Sequence, residues 1–225
     1  MKAGCAARSR RALAVLIVVG LLVVVCGPPP PSRVVSQAPP FPTVGGKSQT
    51  PAATSLPIVV HGTGHAATGA ITLPALISVA HITHDGQGSF VVESFVGSQG
   101  DLLINTIGAY DGFRPLLDGS PVQLNIEADG AWTVTITAIA CCAASGAFAG
   151  SGDAVSSQFN PPARGPWEFS NTGRRSYVAY AHCVSGDQLL LNRSGSFQLS
   201  TIVMFGRGPC YWEVISDGSW SIGPG

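Results

Sequence analysis

The sequence predicts an all-β protein: two tandem antiparallel β-sandwich, jelly-roll-like domains after an N-terminal signal or anchor helix and a Pro-rich linker. Three observations predict it. In Asp129-Gly130-Ala131-Trp132-Thr133-Val134-Thr135-Ile136, a tight-turn pair leads into alternating large apolar and Thr residues. Gly tolerates the positive φ of a hairpin turn, and a period of two is the pattern of a half-buried strand. The same writing returns near the C-terminus as Asp217-Gly218-Ser219-Trp220-Ser221-Ile222. Finally, the 225 residues include 28 Gly, 17 Pro and only 11% charged residues. With no sustained helical apolar stripe after Cys26, that composition suits many short strands joined by Gly-rich turns.

The echo extends upstream of the two Trp residues. Gly62-Thr63-Gly64-His65 answers to Gly150-Ser151-Gly152-Asp153, and Gly86 to Val91 answers to Gly173 to Val178. Gly100-Asp101-Leu102-Leu103-Ile104-Asn105 answers to Gly186 to Asn192, so matched positions lie 86 to 88 residues apart. Solenoid units repeat every ~20–50 residues. The longer period points to two globular copies with small loop insertions.

Residues 1–27 read as a signal peptide or membrane anchor. Basic residues Lys2, Arg8, Arg10 and Arg11 precede the apolar run Ala12 to Cys26, and prolines end any helix after Gly27. Fifteen residues of helix span ~22 Å, short of the ~30 Å hydrocarbon core, which favours a signal-peptide core over a stable span. Cys26 sits where a lipoprotein cysteine sits, although Val25 replaces the usual small residue before it. Ser9-Arg10-Arg11 has some likeness to a twin-arginine export signal. An uncleaved anchor with ordinary positive flanks is the alternative. Either way, the remainder is exported.

Residues 28–55 are Pro-rich with Ser, Thr and Gly between the prolines, a composition for an extended disordered tether. Domain 1 is placed at 56–140, with strand candidates Ile58–His61, Ala70–Leu73, Leu76–Ile82, Ser89–Val96, Leu102–Ile107, Val122–Glu127 and Trp132–Ala138. Its expected core is Phe90, Val92, Val122, Leu124, Ile126 and the Trp132 face. Domain 2 is placed at 145–225, with strands at Trp167–Phe169, Ser176–Cys183, Gln188–Asn192, Phe197–Met204, Cys210–Ser216 and Trp220–Ile222. Trp167, Phe169, Tyr177, Ala179, Leu190, Trp212, Val214 and Trp220 should fill it.

Cysteine usage fits export. Cys183 closes one strand and Cys210 opens another, and by the repeat they fall near Val96 and Val122 of domain 1. A hydrophobic pair in one copy and a Cys pair in the other suits adjacent strand ends, so Cys183 and Cys210 are expected to form a disulfide. Cys141-Cys142 at the junction reads as a pair of small buried or free thiols rather than a strained vicinal disulfide.

Candidate chemistry is sparse. His81, His84 and Asp85 form the one cluster resembling a metal site, and with it a metal-dependent hydrolase. On a strand, however, residues three apart point to opposite faces. Strand-end and turn histidines are therefore the preferred reading, with no metal and no cofactor expected. The Gly-x-Ser-x-Gly elbow, the P-loop and the dinucleotide fingerprint are all missing. What the copies share is turn and core chemistry, so no catalytic residue is assigned and the chain reads as a non-enzyme. Beyond Cys26 there are 8 basic and 12 acidic residues, unlike the basic footprint of a nucleic-acid binder.

The signal, the Pro-rich tether and the Gly-Asp-Leu-Leu-x-Asn … Asp-Gly-x-Trp-x-x-x-Ile modules together resemble uncharacterised bacterial exported, lipoprotein-like envelope proteins. The modules are also similar to those in the extracytoplasmic regions of some receptor-type serine/threonine kinases. The resemblance covers about 60–140 well and 150–222 more loosely. It implies a membrane-tethered binding or sensing protein on the extracytoplasmic side, and it brings no catalytic residues. An envelope protein, glycan or small ligand is the expected partner. A purely structural spacer is the bland alternative. The loops Asp111–Pro121 and Gly206–Pro209 are the expected contact surface.

Overall fold

The computed structural model describes residues 56–116, 119–141 and 143–225. The predicted signal or anchor helix, Cys26 with its lipidation, and the Pro-rich tether lie outside the described residues. Within them every regular element is a strand: β1 (Ile58–Thr63), β2 (Ala66–Ala67), β3 (Ser78–His84), β4 (Ser89–Val96), β5 (Gln99–Ile107), β6 (Tyr110–Leu116), β7 (Gln123–Glu127), β8 (Ala131–Ala138), β9 (Phe148–Ser151), β10 (Ala154–Val155), β11 (Arg164–Asn171), β12 (Ser176–Cys183), β13 (Gly186–Ser194), β14 (Phe197–Met204), β15 (Cys210–Ser216) and β16 (Ser219–Pro224).

The first eight strands form two antiparallel sheets, ordered β1-β8-β3-β6 and β2-β7-β4-β5. The last eight repeat that order as β9-β16-β11-β14 and β10-β15-β12-β13. Eight strands in two four-stranded sheets with these crossovers make a jelly roll, here written twice. Each copy has its own core, and the two copies pack into one compact unit.

Alternation explains the packing. In β8, Trp132, Val134 and Ile136 are buried while Thr133 and Thr135 are only half-buried. They meet Phe90 and Val92 of β4 and Leu124 and Ile126 of β7 in a mainly aliphatic core. Domain 2 fills the same space with aromatics: Phe159 and Trp167 pack against Trp212 at 5.1 and 5.2 Å between ring centroids. Leu190 lies at the margin of that core, partly buried.

Three expectations need correction. Asp111–Pro121 is not a loop throughout, because Tyr110–Leu116 is the edge strand β6. An edge position tolerates Pro115, whose missing N–H faces away from the ladder. Ala70–Leu73 is no strand; Ile71 makes an isolated bridge to Val122. Cys141 is exposed and disulfide-bonded, not a free or buried thiol.

The Cys183–Cys210 disulfide is present, between paired positions of β12 and β15. In domain 1 the equivalent positions carry Val96 and Val122, both packed on the core.

Candidate functional site

The motifs common to both copies are occupied by scaffold work. The Trp132 indole Nε1–H donates to the Gly64 carbonyl at 2.9 Å, and Trp220 does the same to Gly152 at 2.8 Å. Gly64 and Gly152 hold φ of 70° and 69°, a left-handed conformation that glycine adopts without strain. A Cβ on Gly62 would strike the Trp132 ring. Gly-x-Gly is therefore the seat of the Trp ring, not a phosphate loop. The Asp of Asp-Gly pins the turn on the neighbouring hairpin. Asp129 Oδ2 accepts from the backbone N–H of Gly88 at 2.7 Å and of Gln87 at 3.1 Å, while Asp217 accepts from Arg174 and Arg175. The Gly88 hydrogen bond, more than any other contact, holds the Asp129 carboxyl below its ordinary value.

His81, His84 and Asp85 are not brought together. His84 is buried, with Nδ1–H donating to the Gly108 carbonyl at 3.0 Å and its ring stacked on Phe90. Asn171 makes the equivalent bond to Gly195, so this is a structural position in both copies. His81 points to the other face, bonded to Asp111 at 2.7 Å and stacked on Phe113. Asp85 accepts from the Ala131 N–H. Among the described residues no group of three or more His, Cys, Asp or Glu side chains is placed to hold a metal.

The structure instead gathers charge where the two domains meet. β6 of domain 1 lies against β10 of domain 2, tied by the Phe113 N–H donating to the Asp153 carbonyl at 3.0 Å. Arg114 on β6 reaches across to Glu213 on β15, Nη1 to Oε1 at 2.9 Å, and Nη2 lies 3.6 Å from Asp153 Oδ2. Asp153 also accepts from the Tyr110 hydroxyl at 2.9 Å and from the Ser216 N–H at 3.0 Å. The other Glu213 oxygen lies 2.9 Å from His182 Nε2, and His182 Nδ1 lies 2.8 Å from Asp187. The result is one chain of polar contacts, Tyr110–Asp153–Arg114–Glu213–His182–Asp187.

Desolvation sets the electrostatics of this seam. Burial raises the Asp153 carboxyl above its ordinary value, opposed by the Arg114 charge and the Tyr110 and Ser216 hydrogen bonds. Burial, then the Asp153 charge, pushes the Tyr110 phenol well above its usual range. For His182, burial lowers the value, but hydrogen bonds and charges from Glu213 and Asp187 outweigh it and the net shift is upward.

Three clefts open along the seam. One of about 250 Å³ is lined by Asp101, Leu102, Arg114, Tyr180, His182 and Asp187 among others. A second, of about 200 Å³, runs from Leu76 and Ile77 to Val184 and Pro209. A third, of about 270 Å³, lies between Tyr110, Asn105 and Arg175. Of the predicted contact loops, Gly206–Pro209 reaches this region through Pro209, and Asp111–Pro121 reaches it through Arg114 and Pro115. Sequence reading missed the seam itself. Its one early signal was Arg114, the lone basic residue of domain 1 among seven acidic ones.

No protein-family model matches the chain, and no curated protein is similar to it.

Proposed function

We propose that the chain is an exported, membrane-tethered, non-catalytic binding or sensing protein of the cell envelope, and that it meets its ligand in the clefts along the interdomain seam. The observation that carries this is where the duplicated copies differ. Arg114, Asp153, His182 and Glu213 converge at the seam. Their equivalents in the other copy are Thr201, His65, Phe95 and Asn125. Shared residues build the two scaffolds; unshared polar residues line the clefts along the seam. Both cores are filled with apolar side chains, which leaves surface clefts for a ligand; one of about 550 Å³ lies within domain 1 beside His84, Asp85 and Asp111, and those of the seam are built from both copies. The tether belongs to residues 1–55, with Cys26 as the lipid attachment point.

The test is retention of fractionated envelope protein, glycan and lipid by the immobilised exported region, compared with the Leu102→Asp variant. Leu102 is half exposed and lines the cleft, so this change alters the surface without emptying a core. Retention by the parent and loss in the variant is the expected result. If the parent retains none of the three classes, the spacer reading replaces this one. Metabolic acyl labelling that disappears in Cys26→Ser checks the anchor.

A further inference from the structure

We propose that His182 is a proton-operated partition within the interdomain cleft: as imidazolium it clamps Asp187 and Glu213, and on losing its proton it releases Asp187 and joins two adjoining clefts into one groove. As regulation of a binding site this rests on the reading above; the protonation step itself does not.

The two ring contacts differ in kind. His182 Nε2 is hydrogen-bonded to a Glu213 oxygen at 2.9 Å, whereas Nδ1 lies 2.8 Å from an Asp187 oxygen without hydrogen-bond alignment, a contact held by charge. Ionised carboxylates only accept, and only the imidazolium carries an N–H on both ring nitrogens. Neutral histidine can keep the Nε2–H bond to Glu213, but it then turns the Nδ1 lone pair toward an Asp187 oxygen with no charge to hold the pair, so one of the two contacts has to give way.

Surroundings decide which. Glu213 has a side chain only 12% exposed and is held from domain 1 by Arg114. Asp187 has a side chain 60% exposed and follows Gly186, whose φ is 130°, at the tip of the β12–β13 hairpin. Asp187 is therefore the one that leaves. His182 and Asp187 line both the 250 Å³ cleft, with Asp101 and Arg114, and the 200 Å³ cleft, with Leu76 and Val184. Their contact is the wall shared by the two.

The groups around the imidazole come from every packed element. Its own strand supplies Tyr180, β13 supplies Asp187, and β15 supplies Glu213 and Tyr211, whose ring stacks on it at 4.8 Å. Domain 1 supplies Arg114 on β6 and Asp101 on β5, which line the cleft, and Asp153 reaches the network through Arg114. Leu76 and Ile77 are apolar. Loss of the imidazolium leaves the Asp153, Glu213 and Asp187 carboxylates with Arg114 as the cation in contact with the network, which favours expulsion of the exposed one. The surrounding carboxylates also hold the protonated form to higher pH than in a free histidine, although burial works against it.

Histidine-selective NMR of the full chain, titrated through neutral pH, tests this, with the His182 signal assigned by its loss in His182→Phe. His182 should titrate above the ordinary histidine value of about 6.5, and the Asp187 amide should shift with the same midpoint. Asp187→Asn should lower that midpoint. His182→Phe, which copies Phe95 of domain 1, should leave the Asp187 amide indifferent to pH in this range. A His182 midpoint at or below the ordinary histidine value of about 6.5, or an Asp187 amide that ignores it, overturns the partition. Envelope retention that is the same on both sides of the His182 midpoint overturns the regulation but not binding. An intact titration with nothing retained removes only the binding reading.

Discussion

Domain 1 and domain 2 have the same eight strands in the same order, yet they are stabilised by different means and present different edges. Domain 1 closes the end of its β4–β7 pair with Val96 and Val122; domain 2 closes the equivalent β12–β15 end with a disulfide. The first core is mainly aliphatic, the second mainly aromatic. Edge strand β6 carries Tyr110 and Arg114 and is covered by β10, whereas its counterpart β14 carries Phe197 and Thr201 and exposes Ile202 and Met204. Duplication preserved what folds the chain. Divergence placed complementary charge on the two faces that meet, Arg114 on one and Asp153 with Glu213 on the other. Because neither half of that pairing is repeated at the outer edges, the same chemistry cannot add a third module.

The shared Trp seat should show the largest effect and the closest agreement between domains. Trp132→Ala and Trp220→Ala each empty a core position and should cost about 3–5 kcal/mol in denaturant unfolding. Trp→Phe keeps most of the buried area but leaves the Gly64 or Gly152 carbonyl without its donor, at about 1–2 kcal/mol. Values differing between the copies by more than about 1.5 kcal/mol would break the equivalence that these hydrogen bonds suggest.

The staple comes next. Joining positions 27 apart in sequence stabilises by about 3.5 kcal/mol through the entropy of the unfolded chain. Cys183→Ala with Cys210→Ala should lose that amount, and hydrogen exchange should rise in domain 2 while domain 1 keeps its protection. Cys183→Val with Cys210→Val copies domain 1 and should recover part of the loss through buried apolar area. Equal loss in both variants would mean that the β12–β15 end cannot close around valine as the β4–β7 end does.

Much of this was legible in the sequence, for a physical reason. A strand buried on one face must alternate, so Trp132-x-Val134-x-Ile136 announces both its fold and its core. The Cys183–Cys210 pair could be read because the repeat places Val96 and Val122 beside each other. Strand β6 was hidden because Asp111-Gly112 mimics a turn and Pro115 argues against an inner strand, although an edge admits both. The seam was hidden for a deeper reason. Tyr211, Trp212, Glu213 and Val214 are all buried, since domain 1 covers the outer face of β15 and erases its alternation. A carboxylate between Trp212 and Val214 is the one local hint that such a cover exists. Its partners Arg114 and His182 lie far away in sequence and form no motif.

Breaking the seam should have a smaller effect, and one that reciprocal changes repair. Arg114→Thr copies domain 2 and leaves Glu213 and Asp153 largely buried without their cation, at about 3 kcal/mol. Adding Asp153→His and Glu213→Asn, the domain 1 residues, removes the orphaned charges and should restore part of that stability. Thermal melts of the single and triple variants decide it. A single-variant loss below about 1 kcal/mol would mean that water replaces Arg114 with little penalty.

The smallest effect is the pH dependence of stability, and its sign separates the domains. His182 is raised in the folded chain by its carboxylate partners in excess of the opposing effect of burial, so folding is linked to proton uptake there. That contribution is fully present below the unfolded histidine value of about 6.5 and is lost as pH rises through the higher folded value. Phe95 occupies the equivalent site in domain 1, so the alkaline-side decline belongs to domain 2 and should vanish in His182→Phe. On the acid side Asp129 acts in the opposite sense. Its folded value is lowered, chiefly by the Gly88 N–H, so its contribution is present above the ordinary carboxylate value and falls as pH drops through the folded one. Asp153, raised by burial, instead favours the folded state as pH falls toward the carboxylate range. Melting temperatures between pH 5 and pH 9 should therefore decline with rising pH in the parent and flatten in His182→Phe. A parent profile as flat as the variant's would show that Asp187 and Glu213 do not hold the proton on His182.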